Sequence, residues 1–189
     1  MSRPSDAKTR LTKAATHLFR RRGYNGVGLT ELLDASGSPK GSFYHHFPGG
    51  KEQLAEATVI QSGLDMAQVI DHAFSDVDTL EQGAHRLVAV IADAFVASDY
   101  TAGCPVTSIL LDTVTTSQMH KKAGEDAFDM WRDVLDKHAK RLGDPRDVDA
   151  LALALLVAIE GGWVVARIRR NAAPILIAGN ALCMVKAPS

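Results

Sequence analysis

Cysteine is scarce in this chain. Cys104 and Cys183 are the only two in 189 residues. They lie far apart with no metal-ligand spacing, which argues against a disulfide scaffold or a thiolate metal centre and leaves reduced, structural thiols as the reading. Nothing around either one supports a redox role. The opening MSRPSDAKTR has neither an apolar run nor a small-residue cleavage site, so no secretory signal is expected and a cytoplasmic location follows. No alternating strand pattern, internal repeat or low-complexity tract is visible. Also missing are a nucleophile with a local base, a phosphate-binding loop and a cluster of metal ligands, so an enzyme is disfavoured and no cofactor or metal is expected.

With 46% apolar residues the chain can bury a substantial core. Its net charge of −1 hides a division. Residues 1–51 carry nine Lys and Arg against three acids, net +6, which leaves twelve basic against nineteen acidic residues, net −7, for the rest. Such asymmetry suggests that the first quarter meets a polyanion.

Every segment reads as helix. Leu11, Ala14, Ala15, Leu18 and Phe19 recur on one helical face up to a cap at Gly23, which predicts a first helix over 5–22. Leu29–Ser36 is a short second helix closed by Gly37, and Ser38-Pro39 reads as an N-cap followed by proline at the first position of a third. Phe43 and Phe47, four apart, would face inward. The "FPGGK" segment breaks the chain before a long fourth helix opening near Lys51 and holding Leu54, Ala57, Gln61 and Leu64. A fifth contains Leu80, Ala84, Leu87, Val88, Ile91 and Phe95, and a short sixth Ile109, Leu110 and Leu111. The seventh holds Ala127, Phe128, Trp131, Val134, Leu135 and Leu142 and stops at Gly143. Asp144 and Pro145 then suggest the cap and first position of an eighth, to about Arg170, and a ninth runs over 173–184.

Two short helices joined by a tight glycine turn form a helix-turn-helix, whose second helix can enter the major groove of DNA. Lys40 and Ser42 fall in its first turn, where a lysine can pair with guanine acceptors, and Gly41 lets the helix end approach bases closely. The Tyr44 hydroxyl can reach a phosphate, and Lys51 can join backbone amides in holding another. Thr30 is a further backbone or base contact. His45 and His46 raise the question of a metal, but adjacent helical residues point about 100° apart and no carboxylate or cysteine sits one turn away. They read better as an outward contact (His45) and a duplex-edge contact (His46).

The stretch "LTELLDASGSPKGSFYHHFPGGKEQL" resembles the DNA-binding segment of TetR-family transcriptional regulators. Lys40, Gly41, Ser42, Phe43, Tyr44, His46, Phe47, Lys51, Glu52 and Leu54 match the family's K-G-(S/T)-aromatic-Tyr-x-H-F and K-E-x-L pattern, and "AATHLFRRRGYNGVGL" is similar to its first helix. Together with "GCPV" at 103–106 and "EGGWVVARI" at 160–168, the segment resembles the LmrA/YxaF-like branch. Two departures stand out: Pro39 replaces the hydroxyl cap of many members, and "FPGGK" is one residue longer than the commoner spacing. The resemblance implies an all-α chain, with a three-helix DNA-binding domain (1–50) joined through the long fourth helix to a helical effector-binding and dimerisation domain (51–189).

In that second region Trp131, Trp163, Phe95, Phe128, Tyr100 and Met119 supply aromatic and soft apolar surface, with Glu160 and Thr107 as sparse polar groups. The resemblance implies a pocket for a small hydrophobic or aromatic effector among helices four to eight, for which Leu64, Ile70 and Leu110 are the remaining candidates. Glu160, a carboxylate in an apolar helix, needs a partner. The eighth helix, "ALALALLVAIEGGWVVARI", is apolar nearly all round, yet Glu160 and Arg167 interrupt it. It reads as buried by its own chain and a second copy rather than by a membrane. Leu151, Leu155, Ile159 and Ile168, with Leu176 and Leu182 of the ninth, are the expected homodimer contacts. The function these features suggest is a repressor released from double-stranded, palindromic operator DNA by its effector. An architectural DNA binder without effector, or a helical enzyme, are the alternatives.

Overall fold

The computed structural model describes residues 4–185, with side chains described from Asp6 onward and those of Cys183 and Met184 outside the description. Any redox role of Cys183 therefore falls outside it, whereas the Cys104 thiol is buried. The described residues form an all-helical chain: α1 (Pro4–Arg22), α2 (Leu29–Ser36), α3 (Lys40–His46), α4 (Gly50–Ser75), α5 (Leu80–Ala97), α6 (Pro105–Thr113), α7 (Gln118–Leu142), α8 (Val148–Arg169), α9 (Ala173–Ala178) and α10 (Ala181–Met184). They gather into two compact units, one of residues 4–64 with 102–127, the other of 65–101 with 128–185.

In the first unit α1 buries Ala7, Leu11, Ala15 and Phe19, a strict four-residue stripe, and packs on α2, α3 and α6. Ala14 and Leu18 border this stripe, half-buried. Phe43, Phe47, Leu54, Val59 and Ile109 complete the unit's core. At the end of α2, Gly37 takes the left-handed conformation (φ 59°). Its N–H donates to the Asp34 carbonyl at 3.2 Å and that of Ser38 to the Leu33 carbonyl at 3.1 Å, the paired bonds of a Schellman closure.

That closure displaces the expected cap of α3. Ser38 is buried, with its N–H committed to α2 and its hydroxyl directed at the Ser36 carbonyl. Pro39, extended at φ −62° and ψ 146°, becomes the N-cap, and its carbonyl accepts from Phe43 N–H at 3.0 Å. On α4 the buried stripe is Leu54, Ala55, Thr58, Val59 and Ser62, which leaves Ala57 half-buried and Gln61 and Leu64 exposed.

The second unit buries the whole α5 stripe of Leu80, Ala84, Leu87, Val88, Ile91 and Phe95. Asp147, not Asp144, caps α8: its side chain accepts from the N–H groups of Asp149 (2.9 Å) and Ala150 (3.3 Å). Asp144 is instead held by Arg146, which donates to both its carboxylate oxygens at 2.9 and 2.6 Å and holds the carboxyl below its ordinary range. The expected ninth helix is two. It breaks at Gly179, where a Cβ would come within 2.9 Å of the Val88 methyl and 3.0 Å of the His85 ring. Close approach to α5 thus leaves room only for glycine at the break.

Gly83 tests this packing. An added Cβ would meet the buried Phe74 ring at 2.2 Å. Gly→Ala inside a helix ordinarily stabilises by about 1 kcal/mol. Here Gly83→Ala is expected to destabilise by about 1–3 kcal/mol, because the ring has nowhere to go. Urea unfolding reads the sign, and a stabilised variant would contradict the packing.

Candidate nucleic-acid interface

The candidate reading element is α3, seven residues long, held by its inner face. Phe43 and Phe47 are fully buried, with their rings 5.9 Å apart, and Tyr44 lies edge-on to Phe43 at 5.0 Å. With that side anchored, Lys40, Gly41, Tyr44 and His45 are exposed, while Ser42 and His46 are half-buried. The His45 and His46 rings stand nearly perpendicular, 5.1 Å apart. Thr30 is exposed in the first turn of α2. The structure therefore brings the α3 candidates together on accessible surface of one short helix.

Lys51 sits differently from the others. It is half-buried, and its ammonium lies 4.0 Å from the centroid of the Tyr24 ring, a cation–π arrangement. Burial pulls its pKa down, and the Asp112 carboxylate acts in the opposite direction. Asp112 also accepts from the Asn25 N–H at 2.8 Å and so pins the loop that carries Tyr24. Tyr24 and Asp112 are parts of this surface that the spacing pattern did not single out. The one hint was the Gly-Tyr pair after the first helix.

The basic excess of the first quarter is only partly free for a polyanion. Arg20 donates to the Gly103 carbonyl at 3.1 Å and receives Gly103 N–H on its own carbonyl at 2.8 Å. Arg22 is bonded to Glu31 and to the Gly26 carbonyl, and Arg10 donates to the Ser36 carbonyl at 3.1 Å. These guanidiniums hold the helix-turn-helix in shape. Lys8, Lys13 and Lys40 are exposed.

The residues read as effector contacts divide between the units. Leu64 (exposed), Thr107 (half-buried, donating to the Cys104 carbonyl) and Leu110 (buried) belong to the first. Ile70, Phe95, Trp131 and Trp163 are buried in the second, where Phe128 packs on Trp131 at 5.3 Å and Glu160 is half-buried. Trp163 buries an indole N–H with no partner among the described residues. Of the residues read as dimer contacts, Leu151, Leu155, Ile159 and Leu182 are buried within their own chain, so they are core; Ile168 and Leu176 are exposed. The outward stripe of α8 is Leu153, Val157, Val164 and Ile168, each 61–79% exposed, a face that an all-round apolar sequence could not distinguish from the inner one.

An exposed short helix anchored by two buried aromatics after a Schellman turn is the reading element of a helix-turn-helix DNA-binding regulator. Residues 11–58 match the family model of bacterial regulatory proteins of the tetR family, and 81–181 that of the C-terminal domain of LmrA/YxaF-like transcriptional regulators. The chain is 30% identical to the HTH-type transcriptional regulator LmrA of Bacillus subtilis, over 90% of its own length and 92% of that protein's. It is 25% identical to YxaF of the same organism, covering 94% and 93%. The fold agrees with the crystal structure of regulatory protein TetR from Rhodobacter sphaeroides, with a TM-score of 0.80 at 23% identity over 93% of this chain and 96% of that one. The chain belongs to the TetR family of DNA-binding transcriptional regulators, in its LmrA/YxaF-like branch. It groups with regulators, not enzymes, and members of the family bind DNA and are typically dimers.

Gly41 has no structural reason to be glycine. Apart from its chain neighbours and the adjoining turns of its own helix, nothing lies within 4 Å of a Cβ built there, and its φ is not positive. Gly41→Ala is therefore expected to leave the fold intact, or more stable by up to about 1 kcal/mol, while weakening DNA binding. Thermal unfolding beside DNA titration separates the two effects, and a destabilised variant would show that the glycine serves the fold.

Proposed function

We propose that the protein is a homodimeric, cytoplasmic repressor that occupies a palindromic operator and leaves it when a small, largely apolar effector binds. Residues 1–50 act as the DNA-binding domain and 51–189 as the effector-binding and dimerisation domain. Lys40, Gly41 and Ser42 read base edges, Tyr44 and Lys51 hold phosphates, and Thr30, His45 and His46 flank them.

The observation that carries the effector reading is Trp163. A buried donor without an acceptor costs about 1–3 kcal/mol, and an arriving ligand that accepts from it recovers that cost. The effector is then a flat, mostly apolar molecule with at least one hydrogen-bond acceptor. Phe95, Phe128, Trp131 and Ile70 supply apolar surface within the same unit. Trp163→Phe keeps a ring and deletes the donor. It is expected to retain operator affinity and to need about tenfold more effector for release, the equivalent of about 1.4 kcal/mol. Unchanged release by every compound that frees the wild type would remove Trp163 from the site.

The dimer reading is supported by the outward stripe of α8, which Leu176 and Ile177 of α9 extend. A shallow groove of about 360 Å³ lies beside it, lined by Gly161, Val165 and Ile177 among others. So long an apolar face calls for a partner, and a symmetric second copy satisfies both chains at once. Selection from a random DNA pool is expected to return an inverted repeat with half-sites about 34–36 Å apart or a multiple of that. Ile168→Glu is expected to leave the helical content unchanged while sedimentation shows monomers and operator binding is lost. A wild-type chain that sediments as a stable monomer would overturn the dimer.

A further inference from the structure

We infer that Tyr24 and His120 are positioning residues for operator binding, which together hold the Lys51 ammonium at the height where it meets a DNA phosphate. The inference rests on the assignment of Lys51 to a phosphate.

Three side chains and one backbone carbonyl of the first unit close a loop. The Lys51 ammonium lies over the Tyr24 ring at 4.0 Å. The Tyr24 ring is braced by Phe19 at 5.7 Å and, nearly edge-on at 68°, by the His120 ring at 5.7 Å. His120 returns to α4: its Nε2 lies 2.9 Å from the carbonyl oxygen of Glu52, the residue after Lys51. A carbonyl only accepts, so Nε2 carries the proton and donates. The Glu52 carboxylate is tied to the same place, since it accepts from the Ser117 hydroxyl at 2.7 Å. Ser117 in turn accepts from the His120 N–H at 3.3 Å. The first turn of α4 is thus gripped through both backbone and side chain by the start of α7.

His120 is chemically conspicuous for a clamp. It is 1% exposed, and its Nδ1 has no partner among the described residues. An apolar side chain would fill the space without stranding a buried nitrogen. What the imidazole adds is a donor aimed at Glu52 together with a flat edge against Tyr24. A lysine on a flexible four-carbon stem ordinarily loses conformational freedom when it grips a phosphate. Parked on a braced ring, Lys51 has already lost part of it.

The test uses the full-length protein and a selected operator duplex, with affinity measured over a range of salt concentrations. Lys51→Ala is expected to reduce the salt slope by about one per half-site. Tyr24→Leu and His120→Ala are each expected to weaken the operator by about tenfold, as loss of a partly desolvated cation–π contact in two subunits would. Tyr24→Phe, which keeps the ring, and His120→Gln, whose amide N–H can reach the same carbonyl, are expected to restore most of the affinity. In a Lys51→Ala background neither Tyr24→Leu nor His120→Ala should cost anything further. Equal losses in both backgrounds would mean a purely structural role and overturn the inference alone, while Lys51→Ala without effect would overturn the phosphate assignment itself. A second readout needs neither DNA nor a variant at the buried histidine. The Lys51 ε-methylene protons should be shifted upfield by the Tyr24 ring, and a random-coil shift in the wild-type chain would overturn the geometry.

Discussion

A helix of seven residues does not persist in water by itself, because nucleation costs more than so few hydrogen bonds return. The protein has one on its candidate reading surface, so α3 exists only through what holds its inner side. Phe43 and Phe47 do this, fully buried four residues apart. Their burial orients every side chain on the opposite face. The Schellman closure at Gly37 fixes where the helix starts, and the Arg22 bonds to Glu31 and Gly26 hold the loop before α2. Most of the first unit can be read as support for those two rings.

Where the sequence was legible, a single physical rule decided the outcome. The α5 stripe follows the helical period and is buried as spaced, the α1 stripe is buried at Leu11, Ala15 and Phe19 with Ala14 and Leu18 half-buried at its border, and Leu29–Ser36 begins and ends where its pattern does. The errors arose where two rules competed for one residue. Ser38 is a good cap by type, but closing α2 uses its N–H first. Asp144 precedes a proline, as a cap should, yet Arg146 claims its carboxylate and Asp147 lies nearer the helix. The glycine between α9 and α10 answers to the approach of α5, a contact far away in sequence. No local pattern records it.

The candidate site divides in the same way. The exposure of Lys40, Gly41 and Tyr44 was legible because the anchoring aromatics leave them only one direction to point. The bracing of Lys51 was not, because Tyr24, Asp112 and His120 come from segments scattered across the first unit. Charge counting overstated the free basic surface for a related reason. It treats all cations alike, whereas Arg10, Arg20 and Arg22 direct their guanidiniums at protein carbonyls. Those three are committed to fixed acceptors, which the planar guanidinium fork suits.

The eighth helix shows how composition can conceal sidedness. Hydrophobic residues cover nearly its whole circumference, so periodicity offers no contrast, and Leu151, Leu155 and Ile159 look no different from Leu153 and Val157. Gly162 is what turns the helix. A Cβ there would come within 2.9 Å of the Pro174 carbonyl, so α9 lies closest along that line. The residues that share that side, Leu155, Ile159, Trp163 and Ala166, go inward with it. Those on the opposite side remain apolar although their own chain does not cover them. Trp163 and Val164 are neighbours about 100° apart on this cylinder, one turned inward with an indole N–H that has no partner among the described residues, the other outward on the exposed stripe. Any rotation of α8 that brought Trp163 a partner would carry Val164 with it, so an inner hydrogen bond and an outer apolar contact are tied to the same rigid element.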